Sequence, residues 1–287
     1  MTLPNFLIVG AMKCGTSTLL GYLRQHEEIY IAPREVHFFD RESQYRRGIA
    51  WYENQFHSGP RHRAIGEKTP AYCFVPEASE RIYRHLPDVK LIWIFRNPVA
   101  RAYSNYWHFL RRGNERASFD EAIKLALRQE KVDGKSACVY LNKGRYAEQI
   151  KNFLQFFPRE QMLFLLFEDF IRNPDDMLKT VLAFLGVSTD HAINTQLRRN
   201  TGSLPRSVSL VWWSKILFKD TLPYRVIQKI NKGPPTGYPP MSADIRERLQ
   251  DYYRPHNRDL ADLLGWDLGG WDRRPRELAM TAPLAGR

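Results

Sequence analysis

The sequence predicts an α/β fold, a central parallel sheet held between two layers of helices, on three observations. Three short apolar runs, FLIV at 6–9, VKLIWIF at 89–95 and MLFLLF at 162–167, are rich in aliphatic and aromatic residues and end in polar or turn residues. Unbroken apolar runs of that length suit strands buried on both faces, as in parallel sheets. Amphipathic helical segments separate them, and strands alternating with helices imply βαβ units. Ligands of such sheets bind beyond the carboxyl ends of the strands. The segments following the three runs, GAMKCGTS, RNP at 96–98 and EDF at 168–170, are therefore the loops where a site is expected.

The elements follow in order. TSTLLGYLRQH places Leu19, Tyr22 and Leu23 on one helical face, and VPEASERIYRHL opens near Pro76 and carries Ile82 and Leu86. Asn97-Pro98 starts another helix with proline in its first turn. GRYAEQIKNFLQFF and NPDDMLKTVLAFLG are further amphipathic helices, the second closed by Gly186. After Leu197 comes a basic loop, RRNTGSLPRS, then the apolar SLVWWSKILF and the turn-rich KGPPTGYPP. Ser242 is expected to cap a last helix, SADIRERLQDYYRPHNRDLADLLG. Residues 1–272 read as a single domain without internal repeats, and 273–287 as a loose tail.

Of 287 residues, 43 are Lys or Arg and 31 are Asp or Glu, a formal charge of +12. That excess suits an anionic ligand, an anionic glycan, nucleic acid or a membrane surface without choosing among them. Cys14, Cys73 and Cys138 are odd in number and far apart, which argues against a disulfide framework and a zinc site and for a reducing compartment. MTLPNFLIVG runs straight into a strand with no leader pattern, and no stretch approaches the roughly 20 apolar residues of a membrane span. A soluble, cytoplasmic protein is expected.

Four segments carry chemistry. In FLIVGAMKCGTSTLL a strand, a glycine turn and a helix start would surround an anion with backbone N–H groups, with Thr16, Ser17 and Thr18 adding hydroxyls and Lys13 a cation. The spacing of Gly10 and Gly15 makes this a P-loop-type cradle, but Thr16 stands where the triphosphatase pattern has lysine. REVHFFD sets Glu35, His37 and Asp40 around two phenylalanines. In an extended segment Glu35 and His37 share a face, and a carboxylate against an apolar wall has a raised pKa suited to a general base. In IFRNPVARAYSNYWH, Arg96 ends a strand and Ser104 lies a little over two helical turns on, so both can face one ligand. GEKTPAY places Lys68 after a short apolar approach. Each has a plainer reading: a surface lysine at a strand-to-helix turn, a packed histidine, an arginine capping carbonyls, a solvated Lys68.

Taken together, GAMKCGTST, REVHFFD, GEKTPAY and RNPVARAYSNYWH resemble the sulfotransferases that use 3′-phosphoadenosine 5′-phosphosulfate (PAPS). The resemblance is to the branch of heparan sulfate sulfotransferases and their bacterial relatives. It covers the first 110 or so residues strongly and continues faintly to about residue 271. It implies that the loop including Lys13, Cys14, Gly15, Thr16, Ser17 and Thr18 cradles the 5′-phosphosulfate, with Lys13 on the leaving oxygen. Arg96 and Ser104 hold the 3′-phosphate. Glu35 is the base, with His37 and Asp40 nearby, and Lys68 lies beside the acceptor. Arg206 and Ser207 are candidates for a late loop closing over the cofactor. Cys14 stands where relatives often carry a small residue and is read as packing, not as a nucleophile. Adenosine 3′,5′-bisphosphate would be the product.

Sulfuryl transfer, like phosphoryl transfer, is in-line, loose and dependent on positioning and charge stabilisation. Arg96, and no acidic metal ligand, ends the second strong strand, so no metal requirement is expected. A P-loop kinase or ATPase would need lysine after Gly15 and such an acid. A non-catalytic polyanion-binding module is permitted by the charge but leaves the joint match of Lys13, Glu35 and Arg96 unexplained. The acceptor is expected to be a saccharide, glycolipid or other small metabolite and not nucleic acid. Residues 209–230 read as a core helix under a lid, with an acceptor wall or a peripheral membrane contact as alternatives.

Overall fold

The computed structural model describes residues 2–56, 61–129, 139–196, 204–218, 221–231, 233, 234 and 237–272. The expected tail at 273–287, Cys138 and the basic stretch 197–203 lie outside the described residues.

In chain order the elements are β1 (Phe6–Gly10), α1 (Thr16–Leu23), β2 (Ile29–Ile31), α2 (Glu42–Tyr45), α3 (Ile49–Glu53), β3 (Ala64–Lys68) and α4 (Pro76–His85). There follow β4 (Lys90–Phe95), α5 (Pro98–Arg111), α6 (Phe119–Gln129), α7 (Val139–Asn142), α8 (Tyr146–Leu154), β5 (Met162–Leu166), α9 (Phe167–Arg172) and α10 (Pro174–Leu185). The chain closes with α11 (Val208–Phe218), α12 (Leu222–Ile230), α13 (Ala243–Leu264) and α14 (Gly269–Asp272). The fold is the expected three-layer α/β/α arrangement of P-loop type, built on a five-stranded sheet in the order β2-β3-β1-β4-β5. Every adjacent pair is parallel.

Three apolar runs become β1, β4 and β5, and Phe6 to Val9 and Leu91 to Phe95 are wholly buried. The sheet has two more strands than the apolar runs disclose. β2 has only three residues, and β3 (AIGEK) carries two charges yet is buried throughout. β3 runs against β1 because Gly66 has no side chain: a Cβ there would stand 2.5 Å from the Phe6 carbonyl oxygen. The EDF segment is a correction of another kind, since it lies within α9 and not in a loop.

Helix ends follow the sequence signals. Asn97 caps α5, its Oδ1 accepting from the amides of Val99 at 3.0 Å and Ala100 at 3.3 Å, with Pro98 the first helical residue. Gly186 ends α10 in the left-handed region at φ 77°. Ser242 sits at the N-cap position of α13, but its hydroxyl donates to Asp120 Oδ2 at 2.8 Å and bonds no amide of its own helix.

Two apolar clusters organise the packing. One surrounds the sheet, with Trp93 at its centre against Phe95, Phe153 and Phe164. The other joins α5, α6, α7 and α13 through Tyr106, Ile123, Leu141, Ile245, Leu249 and Tyr253. β1 lies between β3 and β4, so the carboxyl ends of three adjacent strands deliver the Lys13 loop, Lys68 and Arg96 to one edge.

Candidate active site

The loop after β1 is shaped by two left-handed residues, Lys13 at φ 73° and Gly15 at φ 92°. The amides of Thr18 and Leu19 return to the Gly15 carbonyl at 2.8 and 3.1 Å. The amides of Gly15, Thr16 and Ser17 meet no acceptor among the described residues, the usual state of a helix's first turn and a ready-made anion cradle. Glycine is required at position 15, because a Cβ there would lie 2.9 Å from the Phe167 ring. Thr16 is buried, and Ser17 and Thr18 are half-buried.

Lys13 stands among like charges. Burial, then the charges of Arg111, Arg96 and Arg112, push its ammonium down to about 8. Arg96 lies over the Phe167 ring at 4.6 Å, and its Nη1 donates to the Lys13 carbonyl at 3.3 Å. The carbonyl-capping reading of Arg96 thus holds for one nitrogen of its fork. α5 presents Ser104, His108 and Arg111 at helical spacing, Ser104 being buried. His108 is driven down to about 3 by burial and by Lys13, Arg112, Arg111 and Lys143. Lys143 is held at about 8, mainly by burial. Its ammonium lies 3.7 Å from Met12 Sδ and 4.2 Å from the centre of the Phe74 ring. Cations crowded this closely define a place that favours an anion.

Lys68 joins this loop to the acidic segment. Its Nζ donates to Ser17 Oγ at 3.3 Å and lies 2.5 Å from Glu35 Oε1. Its side chain is only 9% exposed, so it is not a solvated lysine. Glu35 Oε2 is 3.3 Å from His37 Nε2, and His37 Nδ1 is 2.8 Å from Asp40 Oδ2. Burial works to raise Glu35, but the hydrogen bond from His37 and the charge and hydrogen bond of Lys68 outweigh it and bring the carboxyl down to about 2. That overturns the raised value expected from the apolar wall. For His37, burial works downward, yet its bonds to Asp40 and Glu35 lift it to about 9. The imidazolium donates on both sides. Glu35 and His37 do meet, though not by strand alternation: the segment is irregular and His37 is left-handed at φ 56°.

Glu67 holds that segment in place and was not foreseen. Fully buried in β3, it accepts from the hydroxyls of Tyr52, Tyr72 and Thr69, each at 2.7 Å, and from the Val36 amide at 3.2 Å. Burial pushes its carboxyl upward, against those bonds. The Tyr72 hydroxyl also receives the Phe38 amide at 3.2 Å, so the two residues flanking His37 hang from one buried network. A carboxylate directly before Lys68 in an otherwise small and apolar strand is the signal that could have found it.

Other predicted residues fall differently. The Cys14 thiol is buried 3.7 Å from the Tyr146 hydroxyl, and burial pushes it up to about 11, which fits packing and not nucleophilic attack. Its amide bonds the Ala11 carbonyl at 3.2 Å. Arg206 and Ser207 are tied to Asn231: the Arg206 amide donates to its carbonyl at 2.8 Å and the Ser207 amide to its Oδ1 at 2.9 Å. Among the described contacts, neither reaches the Lys13 loop. Glu168, at the start of α9, accepts the Asn97 amide at 2.9 Å and so fixes the turn that carries Arg96.

An anion cradle at a strand–loop–helix junction, with an ionised carboxylate one lysine away, defines a P-loop-type group-transfer enzyme. The chain belongs to the sulfotransferase domain family, whose profile matches residues 3–261. It is 34% identical over 272 residues to mouse heparan sulfate glucosamine 3-O-sulfotransferase 6, covering 94% of this chain and 74% of that one. To mouse heparan sulfate glucosamine 3-O-sulfotransferase 3B1 it is 30% identical over 279 residues, and it spans 65% of that protein's length. Among solved structures, a sulfotransferase from Alicyclobacillus acidocaldarius superposes with a TM-score of 0.73 at 32% identity, covering 95% of this chain and 100% of that one.

Proposed function

We propose that this sulfotransferase moves a sulfuryl group from PAPS to a hydroxyl or amine of a saccharide, glycolipid or other small metabolite, with Glu35 as the base. The observation that carries this reading is the Lys68 ammonium within reach of both Ser17 Oγ and Glu35 Oε1, joining an anion cradle to an ionised carboxylate. The residues fit the donor. Unpartnered first-turn amides and Lys13 suit its 5′-phosphosulfate, and Arg96 and Ser104 are assigned its 3′-phosphate. Bound there, it would supply a sulfuryl group on a phosphate leaving group.

The chain's own residues do the rest. Lys13 is assigned the leaving oxygen, where charge would grow, and a cation fixed in a partly buried site stabilises such charge strongly. Glu35, at about 2, is ionised throughout the neutral range. It orients the acceptor O–H and takes its proton as bonding to sulfur makes that proton acidic. His37 and Lys68 hold the carboxylate in one orientation.

Transfer of radiolabelled sulfate from PAPS to a panel of acceptors tests the reading, alongside calorimetric titration with adenosine 3′,5′-bisphosphate. The expected outcome is labelled product and nucleotide binding, both persisting in EDTA and transfer failing in Glu35→Gln. Tight binding of Mg-ATP without affinity for the bisphosphate would point instead to a kinase or ATPase. Undiminished transfer by Glu35→Gln would remove Glu35 as the base.

A further inference from the structure

Of twelve large apolar side chains exposed among the described residues, eight lie in the consecutive helices α11 and α12. The expectation of a core helix is overturned: α11 buries only Val211 and Ser214, and α12 buries nothing. Trp213 and Leu217 are 54% and 63% exposed, and Leu222 and Ile230 are 73% and 67% exposed. On α12, Leu222, Val226 and Ile230 recur every fourth residue and form one stripe.

The hairpin is fastened at its base. Arg116 lies over the Trp212 ring at 3.9 Å, and Lys215 Nζ donates to the Gly113 carbonyl at 3.4 Å. Asn231 Nδ2 donates to the Ser207 carbonyl at 2.7 Å and ties together the two chain ends of the hairpin. Water is an unfavourable solvent for so much clustered apolar surface.

Charge identifies the occupant. Residues 204–231 contain Arg206, Lys215, Lys219, Arg225 and Lys229 against the single acid Asp220. Arg225 and Lys229 follow Leu222 and Val226 by three residues and flank the stripe. Aliphatic side chains, an exposed tryptophan and marginal cations are the composition of a helix that lies in a lipid interface. A second copy of this chain would set these cations against their equals in an isologous contact. We propose that the α11–α12 hairpin seats on the surface of an anionic lipid bilayer. It hangs from the turn after α5, held through Lys215 on the Gly113 carbonyl and Arg116 on Trp212.

Co-sedimentation with vesicles tests this. One set is phosphatidylcholine alone, and in the other about a quarter of the lipid is phosphatidylglycerol. Wild type is expected to pellet with the anionic set, with blue-shifted tryptophan emission, and to stay in solution with the neutral set. Arg225→Gln with Lys229→Gln is expected to weaken binding about 25-fold, at about fivefold per charge. Trp213→Ser with Leu217→Ser and Ile230→Ser is expected to abolish binding with an unchanged thermal midpoint, because these side chains are exposed. Wild type left in solution with both sets, equal pelleting with both, or a dimer by light scattering that the triple variant dissociates while vesicles bind nothing would each overturn the proposal.

Discussion

Lys68 Nζ stands 2.5 Å from Glu35 Oε1, a contact between residues 33 apart in sequence that, after the hydrogen bond from His37, holds the carboxylate ionised. Lys68→Met removes that cation, so Glu35 climbs from about 2. The acid limb of the kcat/KM profile moves to higher pH, and kcat falls about 100-fold. A variant that keeps the wild-type acid limb would show that Lys68 does not control Glu35.

His37 makes stability depend on alkaline pH. Its folded value of about 9 exceeds the ordinary 6.5. The contribution is fully present below pH 6.5 and is lost as pH rises through about 9. Urea unfolding between pH 6 and 10 should show wild type losing stability across that window and His37→Gln losing much less. An imidazole titrating near 6.5 by NMR would contradict the two-carboxylate clamp.

Lys13 couples nucleotide binding to protons. With its ammonium at about 8 in the free protein, an arriving anion restores the charged form. Calorimetry in two buffers of different ionisation enthalpy should find uptake of about half a proton per bisphosphate at pH 8. Lys13→Met should bind more weakly and take up none at that position.

Gly15→Ala separates strain from collision. Gly15 and Gly265 are both left-handed, at φ 92° and 67°, but nothing lies within 4 Å of a Cβ at Gly265. Gly265→Ala should cost about 1–2 kcal/mol from backbone conformation alone. Gly15→Ala should cost more, because its Cβ meets Phe167, and nucleotide binding should be lost with it. Equal thermal shifts for the two variants would mean that the Phe167 ring yields freely.

Glu67→Gln keeps the shape of the buried group but presents an amide N–H to groups that now donate. It should cost about 1–3 kcal/mol in urea unfolding. Because the Val36 amide hangs on Glu67, kcat should also fall while bisphosphate affinity stays near wild type. A loss of nucleotide affinity as large as that of kcat would place Glu67 with the cradle instead.

The fold was legible where strands are apolar from end to end. β1, β4 and β5 announce themselves, and α5 and α10 carry proline and their caps in plain view. β3 was obscured because Glu67 and Lys68 look like loop residues until Tyr52 and Tyr72 are known to satisfy Glu67. α6 has no counterpart in the sequence reading, although Ser118 and Glu121 spell a capping box, with the Glu121 carboxylate 2.9 Å from the Ser118 amide. In the candidate site, residue types were readable and their environments were not. Glu35 was expected to be raised because of the phenylalanines near it in sequence, whereas His37 turns onto it through a left-handed backbone and Lys68 arrives from β3. The pressure of Arg111 and Arg112 on Lys13 joins segments almost 100 residues apart, beyond any local pattern. The exposure of α11 was hidden for the opposite reason, since apolar composition alone reads as core.

The crowd of cations around Lys13 bears on the end of the catalytic cycle as well as its beginning. On the proposed reading, a spent nucleotide with two phosphates would neutralise Lys13, Arg96 and their neighbours, and its departure would restore their mutual repulsion. Exit of the by-product, and not bond exchange, is then expected to be the slow event at saturating substrate. A pre-steady-state burst should precede a turnover rate that rises with moderate salt, as screening eases the nucleotide's departure.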